Sequence, residues 1–484
     1  TPFNSRFEDH IALNETTPSR SMAIFQLPMT SGVIIQPYLL LCGDSACLVM
    51  TRTRLDRFSG CSKDMNFSNY AKHYSSQSGI VQLMEDLSVA PPQDGSLYPL
   101  GGGNPAHIPE VQDALRESAL ALASDRHRFA RMIGDYDSPQ GHEVFRQCLA
   151  EQLSSLFQRP LTADNIAITN GSQASFEVLF NAFAGRYADG SWRHIALPIA
   201  PEYIGYNDMS RQERGILKST AARIDLLGDR QFKYGVNLSE FTVEPETTGA
   251  VCLSRPTNPS GNVISDAELS QVADRCRTAG VPLIIDGAYG LPFPGMIYTE
   301  ATPFWDDNTI LCLSLSKLGL PGVRTGIIVA TPDVTRLIRN ANAINGLAPA
   351  RTGPELVLPL LQSNTLTDLL ERVIKPHYLN KQVAAVDALL AAAGDLPIRF
   401  HQPNGAMFLW TWFEGIPGGT HELYRRAAQE GVVTVPGHHF FQGLETTWQH
   451  ANECLRINYA GDEHTVREGI ERLLLIAKRQ YQQG

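Results

Sequence analysis

The residue pattern predicts an α/β chain, with a large, mostly parallel, doubly wound sheet and a smaller α+β unit beside it. Three observations carry this. From about residue 130 to 375, short apolar runs alternate with helix-period segments, the signature of a parallel sheet covered on both faces. Four of the apolar runs end in polar loops rich in small residues. Beyond Lys375-Pro376 the rhythm changes. A long Ala/Leu-rich helix (about 378–393) leads to strands at Ile398–His401, Ala406–Phe413 and Leu455–Tyr459, interleaved with helices at about 421–430 and 463–481.

The four loops are informative in chain order. Ile166-Ala-Ile-Thr turns through Asn170-Gly171 into a helix opening with Ser172-Gln173, where unbonded N–H groups suit an anion. Apolar Phe176, Leu179, Phe180 and Phe183 continue that helix. Val251-Cys-Leu-Ser-Arg-Pro-Thr-Asn258-Pro-Ser-Gly261 ends in a rigid loop with one amide side chain, which an Asx turn would equally explain. Ser265-Asp-Ala-Glu268 is a capping box for the next helix, which Gly280 stops. Val281-Pro-Leu-Ile-Ile-Asp286-Gly-Ala-Tyr289 ends in an acid fit to pair with a protonated pyridine nitrogen. Thr309-Ile-Leu-Cys-Leu313 runs into Ser314-Leu-Ser-Lys-Leu-Gly-Leu-Pro-Gly-Val-Arg324, and Arg324-Thr-Gly-Ile-Ile-Val-Ala330 is a further strand. Ser314, Ser316 and Arg324 are short donors plus a forked cation, the set a dianionic phosphate takes. Lys317 is the odd member. A phosphate needs no second cation so close to an apolar strand, but a carbonyl-bearing phosphorylated cofactor needs an amine to condense with. Parallel sheets deliver ligands to strand C-terminal ends, so the four loops predict one site, and pyridoxal phosphate fits its donors.

Composition narrows the function classes. The chain has 484 residues, 43% of them hydrophobic and 19% charged, which allows two to four globular domains. A net charge of −10 argues against a nucleic-acid partner. The eight cysteines form no CxxC, and Cys252 and Cys312 fall in strand patterns, as reduced core cysteines of a cytoplasmic protein do. With no apolar run of 18 residues, no membrane partner is expected. His438-His439 match no ligand spacing, so no metal is expected, and there is neither a Walker motif nor a GxGxxG after a strand.

The strings LGGGNPA, YDSPQG, NGSQASF, APEYIGY, SRPTNPSGNV, DGAYGLPFPG, SLSKLGLPG, VPGHHFF and LRINY run in order from about Met65 to the C-terminus. In them the chain resembles the class I/II aminotransferases of pyridoxal-phosphate fold type I. The lysine motif and the aspartate loop are specific for that superfamily. The resemblance implies a large cofactor domain at 131–375 and a discontinuous small domain made of 65–130 and 376–484. Residues 1–64 lie outside it. They begin with Thr, carry three of the eight cysteines, and contain one apolar run, Val33–Cys42, which Pro37 interrupts without signal-peptide flanks. A poorly ordered extension is expected there, with Met65 as the natural start.

The resemblance also implies roles. Lys317 holds the cofactor covalently and then moves the proton at the substrate Cα; burial beside Arg324 should depress its amine from ~10.4. Asp286 pairs with the ring nitrogen and stays ionised. Asn258 and Tyr289 bond the phenolic oxygen, Asn258 also facing substrate. Gly171, Ser172, Gln173, Ser314, Ser316 and Arg324 form the phosphate cup. Tyr203 stacks on the ring, with core packing for Tyr203, or Tyr206 as the stacking ring, left open. Tyr136 reaches the phosphate of a neighbouring subunit, which implies a homodimer with shared active sites. Arg456, alone on an apolar strand, expects an anion because a buried unpaired arginine is costly. The family gives it the substrate α-carboxylate, with the Gly103 main chain alongside. The partners implied are small amino acids and 2-oxo acids. APEYIGY and SLSKLGLPG point within the family to L-valine and pyruvate, giving 3-methyl-2-oxobutanoate and L-alanine. Rivals are an aromatic or broad-range aminotransferase or lyase of this fold, and a cofactor-binding regulatory module without turnover.

Overall fold

The computed structural model describes residues 37–42, 45–50, 68, 71, 74, 79–81, 84, 97–212 and 215–483. The chain divides into two units, Thr1–Asn66 and Phe67–Gly484. In the first, Pro37–Cys42 (β1) and Ser45–Met50 (β2) pair antiparallel, Pro37 opposite Met50 and Cys42 opposite Ser45. Pro37 is thus the first residue of β1, a position that proline tolerates, and Val33–Gln36 lie outside the described residues. The rest of 1–64, and Met65, lie outside the described residues.

The second unit holds two main sheets. After Tyr98–Pro99 (β3), the eight-stranded sheet takes Ile166–Thr169 (β4), Gly185–Arg186 (β5), Trp192–Ala200 (β6), Leu217–Ala221 (β7), Thr248–Ser254 (β10), Leu283–Asp286 (β11), Thr309–Ser314 (β12) and Gly326–Val329 (β13). Its order is β4-β13-β12-β11-β10-β6-β5, with β7 also on β6. β13 is antiparallel to both its neighbours and β5 to β6, while the other pairs are parallel. Every residue of β10 to β13 is buried, as a doubly covered sheet requires. Register brings the functional ends level: Ser254 pairs with Asp286, Asp286 with Cys312, Ser314 with Gly326, and Gly326 with Thr169. The capping box at Ser265 opens the helix Asp266–Ala279, and Gly280 ends it in the left-handed region at φ 64°.

The six-stranded sheet runs β17-β18-β15-β14-β9-β8. Its strands are Arg223–Leu227 (β8), Gln231–Gly235 (β9), Ile398–His401 (β14), Phe408–Phe413 (β15), Val435–Pro436 (β17) and Cys454–Asn458 (β18). Two of them thus come from mid-chain, β9 lying parallel to β14. Val432–Val433 (β16) pairs with β3. The Asn458 N–H donates to Leu100 O at 2.7 Å, which lays residues 98–103 against β18. Helices Lys375–Ala393 and Glu463–Gln483 pack against each other in this half. Cys148, Cys252, Cys276, Cys312 and Cys454 are free. Among the described residues, no helix is long and apolar enough to cross a membrane.

Candidate active site

Lys317 stands in a single turn just past β12. Its Nζ donates to Gly103 O and lies 5.5 Å from the centre of the Tyr289 ring. Burial lowers this amine to about 8, with Arg456 and Arg324 adding to the shift and Asp286 opposing it.

Asp286, at the buried end of β11, accepts from Tyr206 Oη at 2.7 Å and from the Ala288 N–H at 2.9 Å. Burial raises its carboxyl above the ordinary range, while Tyr206, Ala288 and Lys317 pull the other way. The Tyr206 ring packs against Phe176 and Phe180 at 5.1 and 5.2 Å. With its hydroxyl on Asp286 and its ring in the core, Tyr206 is not free to stack on a cofactor. Tyr203 meets Tyr206 edge-on at 5.4 Å, and its hydroxyl donates to Gln173 Oε1 at 3.3 Å. Burial pushes the Tyr203 phenol up to about 12.

The phosphate-type residues cluster at the adjoining strand ends. Gly171 caps the helix Ser172–Phe183 at φ 97°, and a Cβ there would overlap the Arg324 guanidinium. Only glycine suits both demands. The amides of Ser172 and Gln173 have no intrahelical acceptor, being first in the helix. Arg324 Nη1 donates to Ser316 Oγ at 3.3 Å and Pro321 O at 3.1 Å, and the Ser316 N–H donates to Ser314 Oγ at 3.1 Å.

Arg456 lies at 0% exposure in β18. Nη1 donates to Asn258 Oδ1 at 2.8 Å and Nη2 to Gly101 O at 2.6 Å, while buried Nε has no partner. Its guanidinium carbon sits 4.5 Å from the centre of the Phe408 ring and 5.4 Å from that of Phe440. No carboxylate pairs with it among the described residues. Burial lowers its value to about 10.

Lys317, Asp286, Tyr289, Tyr203, Asn258, Gly103 and Arg456 are thus brought together through hydrogen bonds, ring contacts and mutual charge effects, with Gly171, Ser172, Gln173, Ser314, Ser316 and Arg324 adjoining. Tyr136 stands apart, 81% exposed on the surface. Sequence reasoning missed two links: the Tyr206–Asp286 bond and the Asn258–Arg456 bond. Both join loops from different strands, so no local spacing signals them.

The comparisons agree with this geometry. The model of the family "Aminotransferase class I and II" matches residues 96–473. Valine–pyruvate aminotransferase of Escherichia coli (strain K12) is 42% identical over 407 residues, 84% of this chain and 97% of that protein. A solved chain from Psychrobacter arcticum 273-4, assigned as an amino-acid aminotransferase, superposes with TM-score 0.83 at 39% identity. It covers 87% of this chain and 100% of its own. Valine-pyruvate aminotransferase AvtA from Salmonella typhimurium LT2 gives TM-score 0.76 at 40% identity, covering 84% and 100%. A family model that spans residues 96–473, with a relative 42% identical over 84% of the chain, places it among the class I and II aminotransferases, as an enzyme of that family.

Proposed function

We propose that this chain binds pyridoxal phosphate through Lys317 and moves the amino group of L-valine to pyruvate, yielding 3-methyl-2-oxobutanoate and L-alanine. The observation that carries the reading is Arg456, fully buried, without an acid and with Nε unpartnered. Such a charge is costly unless something ionic completes it, and a substrate α-carboxylate does so. The relatives named for valine and pyruvate supply the choice of substrates.

The residues fit the cofactor. A phosphate takes the Ser172 and Gln173 amides, Ser314, Ser316 and Arg324, in a cradle that a Cβ at Gly171 would fill. Charge-assisted bonds contribute roughly 1.5–3 kcal/mol each, enough together to hold the phosphate during turnover. When bound, the cofactor supplies an electron sink for a carbanion at the substrate α-carbon. Asp286 would support that sink by pairing with the ring nitrogen, whose positive charge would offset the burial that otherwise raises the acid. Tyr203 would hold the ring by stacking. Asn258 has its oxygen on Arg456, which leaves its N–H donors for the phenolic oxygen beside Tyr289. Lys317 Nζ, with its value near 8, takes the proton from the substrate Cα in one half-reaction and returns one in the other.

Two such chains form the working unit in this reading. Tyr136, 81% exposed, follows the helix Arg126–Gly134 that bears exposed Ile133, and the Asp137–Arg351 pair at 3.3 Å ties this segment to the chain just beyond the helix Pro332–Gly346 and its exposed Ile344 and Leu347. Exposed apolar groups of that kind mark an interface. The reducing cytoplasm suits the free cysteines.

A half-reaction screen tests the substrate assignment. Amino acids are added singly while the visible band of the bound cofactor is followed. Valine and alanine should deplete it fastest, and faster depletion by aromatic or dicarboxylic amino acids would overturn the assignment.

A further inference from the structure

Glu202 is a buried acid to which the reaction gives no task. It follows Pro201 just beyond the end of β6 at 0% exposure. Oε1 accepts from the Ser254 N–H at 2.8 Å, and Oε2 accepts from Ser254 Oγ and from the Tyr203 N–H at 3.4 Å. Its own N–H donates to Phe440 O at 2.9 Å. Ser254 is the register partner of Asp286, and Tyr203 and Tyr206 follow Glu202 closely in the chain. One carboxyl therefore ties the ring-bearing loop to the end of β10, whose register neighbour on β11 is the site's acid.

We propose that Glu202 is a positioning residue of the cofactor site, a buried latch that sets the Tyr203 ring and the Tyr206–Asp286 bond against the pyridine ring. The inference rests on reading the site as one for pyridoxal phosphate. The groups facing Glu202 are Cys252 and Ser254 of β10, Asp286 of β11, Tyr203 and Tyr206 of its own loop, and the Phe440 carbonyl. None is a cation, so the latch is stable only as a neutral acid. Burial, with Asp286 adding and the Ser254 bonds opposing, takes the Glu202 carboxyl up to about 8. When the carboxyl is neutral, it still accepts the Ser254 N–H on Oε1, and its own O–H takes over as donor in the bond between Oε2 and Ser254 Oγ. Glutamine reproduces these two bonds and gives up only the long Tyr203 N–H contact at 3.4 Å. It also leaves Asp286 as the single negative charge for one cationic ring nitrogen.

The test uses the full chain, stripped of cofactor and titrated with pyridoxal phosphate, as wild type, Glu202→Gln and Glu202→Ala. The readouts are the Kd and the circular dichroism of the bound cofactor's visible band. Glu202→Gln should stay within about threefold of the wild-type Kd with an unchanged band, while Glu202→Ala should raise Kd by about tenfold or more and alter the band. A second readout needs only the glutamine variant. Glu202 releases its proton near 8 in the fold against an ordinary 4.5, so wild type has its full stability below 4.5 and loses it as pH rises through about 8. The melting temperature of the cofactor-free wild type should therefore fall relative to Glu202→Gln between about pH 5.5 and 8.5. Wild-type Kd and band in Glu202→Ala, with only a lower melting temperature, would reduce Glu202 to scaffold. Losses in Glu202→Gln equal to those in Glu202→Ala, or parallel melting curves, would overturn the neutral latch. Failure of the wild type itself to take up the cofactor at Lys317 would instead overturn the reading of the site.

Discussion

Arg351 and Arg456 are both largely withdrawn from water, yet their surroundings are opposite. Arg351 Nε meets Glu355 Oε1 at 2.9 Å, Nη1 meets Asp137 at 3.3 Å, and Nη2 faces His142 Nε2 at 3.1 Å. Arg128 grips the other Glu355 oxygen at 2.8 Å. Burial alone would push Glu355 up, but the hydrogen bonds from Arg128 and Arg351, with His142 beside them, outweigh it and take the carboxyl down to about 2. Arg456 has no acid, only a side-chain amide oxygen and a carbonyl, and its Nε is unpartnered. The first cluster is electrically complete within the chain. In the reading proposed above, the second is completed by the substrate carboxylate, so the contrast sets a charge balanced within the chain against one left for a ligand.

The largest effect should come from opening the complete cluster. Glu355→Ala leaves Arg351 with Asp137 alone and takes from Arg128 its acid, and should cost about 3–5 kcal/mol in denaturant unfolding, with cofactor affinity of the folded protein little changed. A stable variant that binds substrate poorly would erase the contrast. Arg456→Ala should do the reverse. It should lose roughly 100-fold in kcat/KM, about equally for valine, alanine and pyruvate, because each carries the α-carboxylate. Arg456→Lys should rescue little, since an ammonium does not grip both oxygens in a plane. Normal kinetics with a depressed melting temperature would move Arg456 into the scaffold.

A smaller effect is pH-dependent. Glu355 is held at about 2 against an ordinary 4.5, so its contribution is present above 4.5 and lost as pH falls through about 2. Glu355→Gln should flatten the acid limb of the stability profile, and parallel acid limbs would show that the network adds nothing.

Much of the site was legible because its signals are local. An apolar run followed by a lysine, acid or amide loop marks a strand end wherever it lies, and a lone arginine in Cys454-Leu-Arg-Ile-Asn458 marks a buried charge. The capping box and Gly280 fall where the pattern put them. What stayed hidden depends on pairing across long separations. β9 lies beside β14, some 170 positions on, and nothing in Gln231–Gly235 names that partner. Tyr206 looked interchangeable with Tyr203 until Phe176, Phe180 and Asp286 were seen around it. Glu202 carries no local signal, because no residue type announces that its donors will be Ser254 and the Tyr203 backbone.

The central claim is that pyridoxal phosphate is held on Lys317, beside the arginine that takes the substrate carboxylate. Reducing the loaded full-length protein with borohydride and mapping its peptides tests this most directly. One labelled peptide, containing Lys317, is expected, with no label in Lys317→Ala, which should still bind the cofactor without the covalent link but transfer no amino group. Label on another lysine, or amino transfer surviving in Lys317→Ala, would contradict it.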